Sequence, residues 1–142
     1  MLRFAGFYGP DAFQVLDAVK LIRKGWAPLP GRPEAYFSSI HHDDAATAVA
    51  AALGARAGVY NVADDEPVTR RNYADSLAAA IGAAPPKLIP AWLARLGGSI
   101  AELLSRSLRI SNRKLRQETG WAPRYPSVPE AWPVLMALLR AG

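Results

Sequence analysis

Three short stretches of this 142-residue chain gather side chains able to do chemistry. His41-His42-Asp43-Asp44 offers two imidazoles and two carboxylates, the donor types of a metal site. Asp64-Asp65-Glu66 offers carboxylates for acid–base work. Ser111-Asn112-Arg113-Lys114 has the S-x-x-K spacing of serine acyl enzymes, and Arg113, Lys114 and Arg116 could hold a phosphate at a helix start. Each stretch also has a plainer reading. Neighbouring residues on a strand point to opposite faces, so His41 and His42 are poorly placed to share an ion, and no other histidine exists to help them. Asp43 or Asp44 serves well as a helix cap. Ser111 is expected to cap a short helix, because the motifs that accompany S-x-x-K in acyl enzymes are missing. The Asp64-Asp65-Glu66 run follows a strand, where loops of open parallel sheets face the ligand crevice, and that keeps a functional reading open. A phosphate-cradling glycine loop is absent: no G-x-G-x-x-G or P-loop pattern occurs, and Gly97-Gly98 falls inside a helical stripe.

The elements that must position these residues follow from apolar spacing. Leu2 to Tyr8 reads as a short strand closed by the turn residues Tyr8-Gly9-Pro10-Asp11, with Asp11 as a cap. From Ala12 to Lys24, polar residues recur every three or four positions, which predicts an amphipathic helix stopped by Gly25. Pro28, Pro30, Gly31 and Pro33 make the next stretch a loop. A strand over Ala35 to Ile40 and an Ala-rich helix to Gly54 come next, then a buried strand from Gly58 to Ala63. Thr69 should cap a helix with Tyr73, Leu77 and Ile81 as its core stripe. Trp92 to Leu104 gives a further stripe. Ser127-Val128-Pro129-Glu130 has the form of a capping box for a last helix that buries Val128, Trp132, Leu135 and Leu139, with Pro133 expected to kink it or shift its start. Strands alternate with helices in residues 1–82, and helices dominate 83–142. The expected fold is α/β: about three short parallel strands with crossover helices plus a small helical lobe, forming one partial domain.

Composition narrows the classes. Hydrophobic residues make up 51% of the chain, enough for a core. With no cysteine, disulfides and thiolate chemistry are excluded, and a reducing, cytoplasmic setting is expected. The start lacks a secretory pattern, and no apolar run reaches the length of a membrane span. The net charge of +5 comes mostly from scattered arginine, so solvated surface is the ordinary explanation and nucleic acid is not the expected partner.

Four pieces, in order, resemble a known family. Leu2-Arg3-Phe4-Ala5-Gly6-Phe7-Tyr8-Gly9-Pro10 is similar to the "LRxxxxYGP" strand of extended short-chain dehydrogenases, and Ser39 to Ala46 to their "xIHVDDxA" segment. Val59 to Thr69 resembles "xYNVxDxEPxT", and Arg109 to Leu115 with Thr119 to Pro123 resembles "SNxKLxxxLGWxP". The likeness covers nearly the whole chain and points to the C-terminal portion of an NAD-dependent epimerase/dehydratase. It implies a Rossmann-like sheet remnant with a substrate-binding lobe, acting on a sugar nucleotide or another small hydroxy or keto substrate through NAD or NADP. It implies Phe7, Tyr8 and Gly9 as cofactor neighbours. Arg32 becomes the candidate anion-binding side chain of the pocket loop, and Asp65 and Glu66 further substrate-side candidates.

The departures carry equal weight. The family's dinucleotide loop and its Y-x-x-x-K acid–base pair precede the "LRxxxxYGP" strand. Here Tyr8, Tyr36, Tyr60, Tyr73 and Tyr125 are the only tyrosines, and none has Lys four residues later. No catalytic residue and no metal ligand is therefore assigned, and cofactor binding by this chain alone is not expected. The expected partners are a small-molecule substrate and either a separate chain that supplies the N-terminal half or a second copy. Two other readings stand beside it: a non-catalytic binding or regulatory module, and a basic nucleic-acid-binding protein using Arg106, Arg109, Arg113, Lys114 and Arg116.

Overall fold

The computed structural model describes residues 1–10, 12–90 and 106–141. The Asp11 cap and the Trp92 to Leu104 stripe lie outside them.

The chain begins with an extended run that changes partner halfway. β1 (Leu2–Phe4) lies parallel to β5 (Tyr60–Val62), with Leu2 opposite Tyr60 and Phe4 opposite Val62. β2 (Gly6–Tyr8) lies parallel to β4 (Ser39–His41), with Gly6 opposite Ser39 and Tyr8 opposite His41. Ala5 is the switch. Its N–H donates to Val62 O at 3.0 Å, and the next N–H, of Gly6, donates to Ser38 O at 3.2 Å. β4 and the end of β5 are tied by Asp64 N–H to Ser39 O at 2.8 Å. Between them runs α2 (His42–Ala52), a parallel crossover of the expected kind. One pairing was not anticipated: β3 (Tyr36–Phe37) runs antiparallel to β6 (Val68–Thr69).

α1 (Phe13–Arg23) buries Val15, Ala18 and Ile22 and ends before Gly25, whose φ of 83° is the left-handed turn that glycine accepts without steric cost. α3 (Arg70–Ala80) starts as expected at Thr69, whose hydroxyl accepts from Asn72 N–H at 3.2 Å. α4 (Arg113–Thr119) is closed by Gly120 at φ 73°. Asn112 is the residue at its N-cap, and Ser111 Oγ accepts from Arg113 N–H at 3.3 Å. α5 (Val128–Ala141) begins five residues before Pro133, so the proline does not displace its start. Ser127 Oγ donates to Glu130 Oε1 at 3.2 Å, a side-chain pairing of the two capping-box residues.

Two cores result. The larger joins α1, α3 and α5 through Val15, Ile22, Tyr73, Leu77, Trp132 and Leu135. Trp132 is fully buried between Tyr8 and Tyr73, its ring centroid 5.7 and 5.5 Å from theirs. The smaller joins the parallel strands to α2 and α4 through Ile40, Ala45, Tyr60, Val62, Leu115 and Trp121. Each fully buried large side chain contributes about 1.5–3 kcal/mol by leaving water. Among the described residues no helix is long and apolar enough to cross a membrane.

Candidate functional site

Where β2 ends, the Pro-rich loop, α1 and α3 meet and leave a cavity of ≈ 320 Å³. Phe7 and Tyr8 line it from the strand, Pro28 and Leu29 from the loop, and Phe37 from β3. Ser39, Gln14 and Tyr73 also line it, with Gly6 and Ala18. The loop is held open by α3. The Arg70 backbone N–H donates to Ala35 O at 3.0 Å, and that of Arg71 to Pro33 O at 3.1 Å. The Arg70 guanidinium, completely buried, donates to Pro30 O at 2.7 Å and to Arg106 O at 2.9 Å. Arg71 pairs with Asp75 and reaches Pro86 O at 3.1 Å. A cation at 0% exposure costs free energy unless its donors are used, and here it clamps the backbone that frames the cavity.

Behind Tyr8 lies a buried polar cluster between the two cores. Tyr8, His41, Asp44 and Asp64 are each at most 3% exposed. The Tyr8 and His41 rings stand 5.4 Å apart edge-on, and His41 and Tyr125 are 5.0 Å apart. Asp44 does not cap α2, as its position suggested. His41 does, its Nδ1 accepting from Asp43 N–H at 3.2 Å, while Asp44 accepts from Arg124 N–H at 2.9 Å and Tyr125 N–H at 3.1 Å. Because Nδ1 accepts, the neutral His41 ring carries its proton on Nε2. Burial lowers the His41 pKa, with Asp43 opposing.

Asp64 is the unusual member. Neither carboxylate oxygen makes a well-formed hydrogen bond, although the Tyr8 hydroxyl and the His41 backbone N–H face it. Burial pushes its pKa up to about 8, against the Tyr8 and His41 groups and with help from the Asp44 charge. Burial, reinforced by Asp64, raises the Tyr8 phenol far above its ordinary range, so it is a proton donor and not a base at neutral pH. Ser39 Oγ and Trp132 Nε1 are likewise buried without partners.

The two histidines meet after all. Their rings are 5.0 Å apart, because the strand gives way to helix between them and the alternation of faces stops there. His42 folds over Gly9: a Cβ on Gly9 would fall 1.2 Å from His42 Nε2. Among the described residues no group of three or more metal-binding side chains gathers.

The remaining candidates lie apart. Asp65 is on the rim of a separate, open depression with Asn112, Arg113 and Arg116. Arg116 Nη1 reaches Asp65 Oδ2 at 2.6 Å, and Asn112 Nδ2 donates to Asp65 Oδ1 at 2.7 Å and to Ala63 O at 2.8 Å. Glu66 is exposed, with its backbone N–H on Pro126 O at 3.0 Å. Arg32 is exposed on the Pro-rich loop, outside the described lining of the cavity. Phe7 is 49% exposed and stacks on Phe4 at 5.4 Å, while Tyr8 and Gly9 are buried. Of these three candidate cofactor neighbours, Phe7 alone presents an accessible ring. Two of the basic residues near α4 are engaged internally. Arg109 lies 4.5 Å over the Tyr36 ring, and Lys114 donates to Val59 O at 3.0 Å.

Sequence reasoning missed Ser39, Asp44 and the burial of Asp64. The only sequence signal was strand alternation, which puts Ser39 and His41 on one face.

No family model matches the chain. A curated relative, the 3-diazoavenalumate denitrifying reductase of a Streptomyces species, is 34% identical over 132 residues, covering 89% of this chain and 43% of that protein. Among solved structures, UDP-glucose 4-epimerase of Thermus thermophilus in complex with NAD is 28% identical, with a TM-score of 0.70, over 99% of this chain and 46% of its own. The human epimerase family protein SDR39U1 with NADPH superposes with a TM-score of 0.82 at 21% identity, over 96% of this chain and 47% of its own. The chain thus spans a little under half the length of the proteins it matches, and the two solved structures hold NAD and NADPH respectively. The four ordered motifs, the parallel strands with their α2 crossover and these relatives agree: the chain is similar to the C-terminal portion of NAD-dependent epimerases/dehydratases of the extended short-chain dehydrogenase type.

Proposed function

We propose that this chain is the substrate-binding part of an NAD(P)-dependent reductase, epimerase or dehydratase acting on a small hydroxy or keto compound in the cytoplasm. The observation that carries the reading is the cavity at the end of β2, built by elements from five separate stretches and lined by a strand end that the family places beside its nicotinamide. Phe7, exposed beside the cavity mouth, is the side chain proposed to meet the cofactor. Arg32 extends from the loop toward a charged part of the substrate that stays outside the cavity. Asp65 and Glu66 form the outer rim.

The glycine-rich loop and the Y-x-x-x-K pair are absent from these 142 residues. In this reading they come from another part of a longer polypeptide or from a separate chain, and the exposed Phe4–Phe7 stack is the face that receives it. These residues by themselves then have no turnover. Titrating NADH and NADPH into the 142-residue chain, followed by nicotinamide fluorescence, tests this. No saturable binding is expected, and a micromolar Kd for either would overturn the division of labour.

A further inference from the structure

We infer that the cavity at the end of β2 selects an uncharged aromatic group bearing a carbonyl or hydroxyl, and that it excludes a nucleotide diphosphate. The inference rests on the reading of this cavity as the substrate wall and narrows it.

Three observations support it. First, the described lining contains no Lys, Arg or His. A diphosphate buried beside Phe7 and Phe37 would need paired guanidinium or ammonium groups to replace its hydration. Of the cations nearby, Arg70 is committed to the backbone of Pro30 and Arg106 and Arg71 to Asp75 and Pro86, while Arg32 is exposed on the loop outside the described lining, where a single guanidinium cannot neutralise a diphosphate inside the cavity. Second, the lining is aromatic and rigid. Phe37 packs edge-on against Tyr73, with centroids 5.6 Å apart at 83°, which fixes the Phe37 ring for offset or edge contact with a flat guest. Third, Ser39 is 3% exposed and its hydroxyl has no partner within the protein. A buried hydroxyl left unpaired costs free energy, and a guest carbonyl or hydroxyl would recover it. The volume of ≈ 320 Å³ falls at the small end of ligand pockets, room for a one- or two-ring molecule.

The test uses the 142-residue chain with 4-hydroxybenzaldehyde, toluene and UDP-glucose as probes, read by ligand-observed NMR. Expected is saturable binding of the aldehyde, weakened about five-fold by Phe37→Ala, with no saturable binding of UDP-glucose. Ser39→Ala, a change small enough to leave folding intact, should weaken the aldehyde several-fold and leave toluene unchanged. If UDP-glucose binds and Phe37→Ala or Ser39→Ala weakens it, the aromatic selection is wrong while the substrate-wall reading survives. If no probe binds, both fall. Aldehyde binding untouched by either substitution would place the guest elsewhere and overturn the inference.

Discussion

Asp64 and Asp65 are neighbours in the chain and opposites in circumstance. Asp64 turns inward from the end of β5, 3% exposed, between Tyr8 and the backbone of His41, with no oxygen in a well-formed hydrogen bond. Asp65 turns outward, where Arg116 and Asn112 occupy both of its oxygens. In the outer region the carboxylate is fully engaged by its neighbours. In the inner one, burial favours a proton on Asp64. Where a fold buries a carboxyl with only poorly formed hydrogen bonds, that spot is not optimised for stability, and such spots concentrate near functional cavities. The Tyr8 ring links this one directly to the cavity wall.

The contrast can be broken by mutation. Asp44 is the inner region's one well-satisfied acid, so Asp44→Ala should have the largest effect. It orphans the N–H groups of Arg124 and Tyr125, and a loss of about 3 kcal/mol in urea unfolding is expected. A loss under about 1 kcal/mol would mean that water replaces the carboxylate and that the inner region is wetter than its burial implies.

Asp64→Asn should act the other way, by a margin that grows as pH rises from about 4 to about 8. The folded state holds the Asp64 proton more tightly than the unfolded chain does, with a pKa of about 8 against an ordinary 3.8. The stabilisation from that proton is full below the ordinary value and is lost as pH rises through about 8. The amide mimics the neutral acid at every pH. At pH 8.5 the variant should therefore be the more stable of the two, and near pH 4 the two should coincide. Parallel pH profiles for parent and variant would contradict an unpaired, protonated Asp64. Asp65→Ala should matter least, at about 1 kcal/mol or below, because Asn112 keeps its bond to Ala63 O and the Arg116 pair is partly solvated. A larger loss would erase the distinction between the two regions.

Local pattern and long-range pairing were unequally legible. The spacing of Tyr73, Leu77 and Trp132 gave the helices and their inner faces, because a helix must bury one stripe. The Thr69 cap and the Gly25 stop were legible for the same local reason. The partner change at Ala5 and the two-residue pairing of β3 with β6 were not, since period-2 alternation reports which face is buried and not which strand lies beside it. Asp44 was misjudged as a cap because the competing bond lies 80 residues away, at Arg124. The family motifs placed the end of β2 near a site. The cavity's lining depends on how the Pro-rich loop folds back, and that is fixed by the Arg70 clamp.

The ring of His42 occupies the volume that a side chain at position 9 would require. The two sites thus behave as a single heritable unit. A library randomised at position 9 alone should return only glycine, whereas one randomised at 9 and 42 together should return alanine or serine at 9 coupled to a shorter residue at 42.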